Sequence, residues 1–401
     1  MEKFFNPDKK IVIPVLGINL LLILIIIGMV FVSSNRVETM YSEMAAERWE
    51  NDALAYSEVS LYYENISGLT ESDIFNIRNS VQTKLAEDSF IDEGSENRAW
   101  IDSYSTQTTT TIRKDSTNLD VDVYLVGGDF FKIHPIPLKG GNYLDIENQD
   151  FNQIVLDENV AWNLFGSNNI EGMKVWIGES VYTIAGVVGV SEDKADIQAY
   201  GEHDCVYIPF KAYSKEDKEL KATNYQAVIP NPIKNYAKNI LAEAAGIHFK
   251  TDEELKNSRT ILNFDDVELV ENTDRYSIIS LFGKRNNHKY VDMRVNTIQY
   301  PYWENVAKYN ETQMLRWLNA AMILSIIPLL SLVYLMIWLY KRRRWALKPV
   351  RFVTGKISGA IEEKKIKKYE EKEKKKEEEE LELRMKNSNP QVQQGSENIN
   401  P

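Results

Sequence analysis

The residues best suited to chemistry in this chain are few, and one stretch gathers most of them. In "GEHDC", Glu202, His203, Asp204 and Cys205 stand side by side. Such residues bind zinc or form a nucleophile–base pair when their side chains converge on one point. Four consecutive residues do not converge, because successive side chains on an extended chain point to opposite faces. The stretch reads as a polar turn leading into the strand "CVYIPF". A second group, "SEDKAD", sets Glu192, Asp193 and Asp196 around Lys194 with no partner base nearby, and reads as a solvated loop. His134, His248 and His288 have no motif partners and are assigned to surface or packing roles. The lone cysteine, Cys205, leaves no internal disulfide to form. No Walker-type phosphate loop occurs, so the chain supplies no ATPase of its own. The expectation is a protein with no catalytic residue, no metal and no cofactor.

Composition narrows the class. The 401 residues are 43% hydrophobic and 11% aromatic, ample for folded cores, and their number fits two or three domains. A net charge of −12 excludes a nucleic-acid binder, which needs a basic face to neutralise phosphates. Two apolar runs then decide the setting. "IVIPVLGINLLLILIIIGMVFV" (Ile11 to Val32) carries no charge and spans roughly 33 Å as a helix, enough to cross the hydrocarbon core. It exceeds the usual signal-peptide apolar region, and "SSNRVETM" after it offers no cleavage signal. The second run, Leu318 to Tyr340, holds Pro328 and has Trp317, Trp338 and Tyr340 near its ends as interfacial anchors. Lys9 and Lys10 precede the first run, and Lys341, Arg342, Arg343 and Arg344 follow the second. Cations at both outer ends predict cytoplasmic termini. The chain divides into a cytoplasmic 1–10, a membrane helix 11–33, an extracytoplasmic domain 34–317, a membrane helix 318–340 and a cytoplasmic tail 341–401.

The outer domain alternates strand and helix signals. Residues from Asn35 to about Asn51 continue a helical pattern as a stalk. "YSEVSLYY" (Tyr56 to Tyr63) reads as a strand. Thr70 then caps a helix, with Asp73 three residues on and Ile74, Ile77, Val81 and Leu85 on one face. Ala99 to Lys114 is a β-branched strand. Residues 120–212 form a mostly β lobe broken by Gly127-Gly128, Gly140-Gly141 and Gly178, with a short helix from Asp157 to Phe165 stopped by Gly166. "NYQAVIPNP" returns to strand, followed by helices at Tyr236 to Ala245 and Asp252 to Asn257, a strand in "FDDVELVE", and a helix from Tyr276 to about Lys284. The simplest architecture is a βαβ-type lobe with a β lobe inserted in it. The tail, Ile361 to Arg384, has balanced opposite charges at i,i+4 spacing and reads as a solvated single helix.

Several stretches together resemble the periplasmic core domain of MacB-like ABC transporter permeases, the FtsX-like group. They are "YLVGGDFFKIHPIPLKGGNYLD", "VLDENVAWNLFGSNNIEGMKVWIGESVYTIAGVVG" and "CVYIPF", with "YQAVIPNPIKNYAKNIL" and "RYSIISLFGKRN…MRVNTIQYPYWENVA" looking like the Gram-positive version. The resemblance implies an α+β, two-lobe extracytoplasmic domain, porter-like and sabre-like, between two transmembrane helices. It implies a non-catalytic permease-like subunit working with an ABC ATPase and a companion permease, in which outer lobes receive ATPase-driven motion. Two departures stand out. "LKGGNYL" lacks the family's arginine after glycine, and one membrane helix follows the outer domain where typical members have three. A membrane-anchored sensor or receptor, or a scaffold for cell-wall enzymes, is the alternative. The expected partner-contact residues are Trp345, Leu347 and Phe352 beyond the second helix, and Tyr302 and Trp303 before it. Lys341 to Gly359 reads equally as a coupling segment or as a short interfacial helix on the lipid. "YPYWENVA" reads as an interfacial belt with packing or as a contact for a partner's helices.

Overall fold

The computed structural model describes residues 9–39, 44–49, 54–90, 99–144, 152–190, 196–197, 204–214, 220–248, 259–261, 267–273, 275–285, 298–341 and 347–387. In chain order the elements are α1 (Lys9–Thr39), α2 (Ala45–Trp49), β1 (Tyr56–Tyr63), α3 (Glu71–Glu87), β2 (Ile101–Lys114), β3 (Thr117–Gly128), α4 (Phe130–Ile133), β4 (Leu138–Gly141), β5 (Gln153–Asp157), α5 (Glu158–Phe165), β6 (Lys174–Ile177) and β7 (Ser180–Val188). They continue with β8 (Cys205–Pro209), α6 (Phe210–Ser214), β9 (Asn224–Pro230), α7 (Tyr236–Ala244), β10 (Arg259–Ile261), β11 (Val267–Glu271), α8 (Ile278–Arg285), α9 (Tyr302–Lys341) and α10 (Leu347–Asn387). Two compact units result: Ile25–Ile323, and Met1–Leu24 with Leu324–Pro401.

In the larger unit every strand among the described residues belongs to one sheet, ordered β10-β11-β1-β9-β2-β3-β8-β5-β7-β4. β6 pairs with both β2 and β7, so β2, β3, β8, β5, β7 and β6 return on themselves as a closed cycle. The cycle takes in β2 and the whole of β3 as well as strands from residues 120–212, and closure removes most of its free edges. The other lobe is the open half β10-β11-β1-β9. The long β2–β3 hairpin joins the two, and one apolar core runs through both. The lobes are thus two halves of one sheet.

Local chemistry explains the elements. Thr70 caps α3, taking a bond from the Asp73 amide while the Asp73 carboxylate takes one from the Thr70 amide. Ile74, Ile77, Val81 and Leu85 are the buried stripe of that helix, as their spacing predicts. α5 opens on the Asp157 side chain and ends on Gly166 at φ 66°, the left-handed geometry glycine adopts without strain. Gly127 has a different reason: a Cβ there would stand 2.1 Å from the Tyr104 ring.

β1 is buried at all eight positions. It lies between β11 and β9, so no edge is free. Its alternation separates two interiors rather than an inside from an outside. Val59, Leu61 and Tyr63 enter the large apolar core, while Glu58, Ser60 and Tyr62 enter the opposite face. α3 and α7 pack against each other, and α7 also packs on β1. The short strands β4 and β10 have no counterpart in the sequence reading. The expected stalk ends with α1 at Thr39, and α2 is a separate helix; the residues between lie partly outside those described. The helix expected at Asp252 to Asn257 also lies outside the described residues.

In the smaller unit, the Asn19 side-chain amide donates to the Val15 carbonyl at 2.9 Å and to Ser331 Oγ at 2.8 Å, tying α1 to α9. Among the described residues, two helices, α1 and α9, are long and apolar enough to cross a membrane. α10 is exposed along its described side chains, consistent with a solvated helix.

Candidate functional site

The second face of β1 builds an unusual interior. β1 supplies Glu58, Ser60 and Tyr62, and β9 supplies Gln226 directly opposite Ser60. The turn after β11 brings Asn272 and Arg275, and the end of α4 brings His134. The first turns of α9 bring Trp303, Glu304, Ala307 and Glu311. Arg275 is bonded through all three of its side-chain nitrogens. Its Nη1 and Nη2 donate to the two oxygens of Glu304 at 2.7 and 3.0 Å, and its Nε donates to Glu311 at 3.1 Å. Glu304 and Glu311 sit seven residues apart, two turns along one face of α9, so one guanidinium fork spans both. Nη1 also donates to Asn272 at 3.1 Å, and Asn272 Nδ2 donates to Glu58 and Ser60 at 3.0 Å each. Tyr62 donates to Glu304 at 3.3 Å. His134 Nε2 bonds Gln226 Oε1 at 2.6 Å, and Gln226 Nε2 donates to Ser60 at 3.1 Å.

Burial sets the charges. Glu58 is pushed up to about 7 by burial, against hydrogen bonds from Asn272 and the Ala45 amide. Burial lowers His134 to about 4, so the ring is neutral at physiological pH. Burial opposes the Arg275 charge, but Glu304 and Glu311 outweigh it and raise its pKa well above the usual value. The arrangement contains no nucleophile beside a free base. The cavity among Glu58, Tyr62, His134, Arg275, Trp303 and Glu304 holds about 20 Å³, room for about one water molecule. Trp303 Nε1 lines it with no partner among the described residues. The site is a joint: it fixes α9 to the sheet through directed bonds that one geometry satisfies.

The sequence-predicted positions fall in several places. Trp303 is buried, its ring 4.3 Å from His134, 5.5 Å from Phe130 and 5.9 Å from Tyr124. It packs in a cluster with Phe130, Tyr124 and Tyr207 inside the larger unit. Tyr302 is half-buried beside it, edge-on to Tyr124 at 5.4 Å, with its hydroxyl 3.4 Å from that of Tyr207. Leu347 and Phe352 lie on α10, while Trp345 lies outside the described residues. Cys205 is buried in β8, and its amide donates to Asp157. Glu202, His203, Glu192 and Asp193 lie outside the described residues, as does His288. No His/Cys/Asp/Glu group able to hold a metal occurs among the described residues. His248 is exposed, whereas His134 is central to the joint. Sequence reasoning missed Arg275, Glu304 and Glu311. Their available signal was two acids at i,i+7 among Trp303, Ala307, Met314 and Leu315.

A family model described as the MacB-like periplasmic core domain matches residues 16–246. The chain belongs to that family. Its role is that of a permease-like component associated with an ABC transporter, and members are generally transporter parts rather than catalysts. It is a membrane protein with a large extracytoplasmic domain. No curated protein matches the chain significantly. Similar solved structures include the periplasmic region of MacB from Actinobacillus actinomycetemcomitans, at 17% identity over 46% of this chain and 81% of that one, with a TM-score of 0.34. The extracellular domain of the noncanonic ABC-type transporter YknZ from Gram-positive bacteria aligns at 15% identity over 47% of this chain and 95% of its own, with a TM-score of 0.34. The family assignment rests on the matched residues 16–246.

Proposed function

We propose that this MacB-like chain is a non-catalytic subunit that carries ATPase-driven motion from the membrane to the extracytoplasmic sheet. The observation that supports it most is α9: one helix, Tyr302–Lys341, bears both the second apolar run and the two glutamates that grip Arg275. A displacement of such a helix acts on the sheet through a buried charged fork, which yields less readily than an apolar contact. The partners are an ABC ATPase and a companion permease, since the chain has no phosphate loop and two candidate spans among its described residues. Their contact is placed at Lys341 to Gly359, with Trp345, Leu347 and Phe352 as its apolar groups. Both termini lie in the cytoplasm and residues 34–317 lie outside.

Purification of the tagged chain in mild detergent should recover an ABC ATPase. Recovery of a sensor kinase or of cell-wall hydrolases alone would sink this reading in favour of a receptor or a scaffold. Replacing Trp345, Leu347 and Phe352 with Ser, with every cation kept, should weaken ATPase recovery more than removal of residues 362–401; the reverse order would move docking to the charged helix. In a Cys205→Ser background, Ser191→Cys should label in intact cells with an impermeant thiol reagent, and Gln394→Cys should not. The opposite pattern would invert the topology.

A further inference from the structure

α8 is an eight-residue helix whose apolar side is larger than its protein contact. At 100° per residue, Leu281, Ile278, Phe282 and Ile279 fall within an arc of roughly 160°, with Ser280 and Lys284 outside it and Arg285, at the last position of the helix, inside its Leu281 end. Leu281, at one end of the arc, is 1% exposed and packs in a cluster with Tyr276, Ala307, Met314 and Leu315, with Leu318 against it. The remaining arc is uncovered: Ile278 is 46% exposed, Phe282 45% and Ile279 88%. An isoleucine so exposed beside a half-exposed phenylalanine is costly in water.

The position of the cluster on α9 sets the height of α8. The second apolar run begins at Leu318, and Met314 stands four residues before it, roughly 6 Å along the helix axis. That distance matches the thickness of one polar interfacial layer, about 5–7 Å on each side of the hydrocarbon core. Trp317, 40% exposed, is at the same level, where tryptophan anchors spans. The sequence after Phe282 continues Gly283-Lys284-Arg285, whose two cations suit lipid headgroups.

We propose that α8 lies in the outer surface of the bilayer, with Ile278, Ile279 and Phe282 inserted at the headgroup–acyl boundary. The occupant of the uncovered face is lipid. Five residues beyond Leu318, which packs against the Leu281 cluster, Ile323 on α9 is 67% exposed. α8 thereby fixes the height of the Arg275 joint above the membrane, because Arg275 and Tyr276 immediately precede it.

The test uses the full chain, purified and reconstituted alone in phosphatidylcholine–phosphatidylglycerol vesicles. Ile279→Cys, Ser280→Cys and Leu330→Cys are made singly in a Cys205→Ser background and labelled with bimane. Lipid brominated near the top of its acyl chains is the quencher. Ile279 is exposed, so its replacement leaves packing intact, and Leu330, in the span and 64% exposed, is the positive reference. Quenching at position 279 should exceed that at 280 by about threefold and approach that at 330. Equal quenching at 279 and 280 overturns the proposal. Protection of position 279 from a water-soluble thiol reagent without lipid quenching also overturns it, and assigns the face to protein; disulfide-linked dimers would identify that protein as a second copy.

Discussion

The two interiors on either side of β1 are built on opposite plans. On one side Val59, Leu61 and Tyr63 meet α3, α7 and the closed β lobe in an apolar core, where stabilisation scales with buried area and near-equivalent packings are tolerated. On the other, Glu58, Ser60 and Tyr62 meet a neutral histidine, an arginine and two glutamates. Directed bonds there must all be met at once, and a displaced α9 leaves charges unpaired. The first interior makes a body stiff. The second makes one attachment specific.

The sharpest way to break this comparison is Arg275→Ala, which strands Glu304 and Glu311 in a buried site. It should cost about 3–5 kcal/mol, read as a lowered urea midpoint of tryptophan fluorescence in the detergent-solubilised chain. Combining Arg275→Met with Glu304→Leu and Glu311→Leu should recover most of that loss, since no charge remains stranded. If Arg275→Ala costs under about 1 kcal/mol, the joint does not hold α9. The apolar side gives the contrast. Leu85→Ala should cost about 2–4 kcal/mol, with nearly the same value across pH and salt. A strong pH dependence of that cost would mean the two interiors are coupled.

Titration separates the interiors further. Glu58 has a raised folded pKa, about 7 against 4.5. The folded state therefore holds its proton where the unfolded chain has lost it, and stability falls as pH rises through that window. His134 works the other way: its folded pKa is about 4 against 6.5, so the unfolded chain takes up the proton first as pH falls. Its contribution is full above about 6.5 and is lost toward 4. Each group is worth on the order of 3 kcal/mol across its window. Glu58→Gln should remove the loss on the alkaline side, and His134→Gln the loss on the acid side. Unchanged slopes in urea melts between pH 4 and 7.5 would show that neither group titrates as its burial implies. The smallest effect belongs to Thr70→Ala, which removes the α3 cap for about 1 kcal/mol and should leave the joint's pH response untouched.

What could be read from the residues divides along the same line. α3 and α5 were legible because their signals are local: a capping box, a stripe at helical spacing, an acidic cap and a left-handed glycine within one or two turns. The two-lobe α+β domain was legible through ordered motifs and their resemblance to a family. The joint was not. Glu58, His134, Gln226, Arg275 and Glu304 are far apart in sequence and share no spacing rule, so only the sheet register brings them together. The aromatics of "YPYWENVA" point to an interfacial belt with packing or to a contact for a partner's helices, and neither reading singles out Glu304 within it. β1 was legible as a strand but not in its surroundings, because its alternation looks the same whether the polar side faces water or a buried network. β4 and β10, at four and three residues, are too short to leave a pattern.

The pairing of β1 also fixes a timetable. Its neighbours are β9, which begins at Asn224, and β11, which begins at Val267, so the strand emerges about 200 residues before its second flank exists. At usual synthesis rates that wait is roughly 10–40 s, long compared with hairpin closure in microseconds. The β2–β3 hairpin can close at once, and the β lobe can be finished by Pro209, while Tyr56–Tyr63 remains a bare, aromatic, strand-forming segment beside the membrane. Birth of this domain is therefore expected to depend on something that shelters that segment, and truncations ending before Glu271 should aggregate or be degraded even though they contain a complete β lobe.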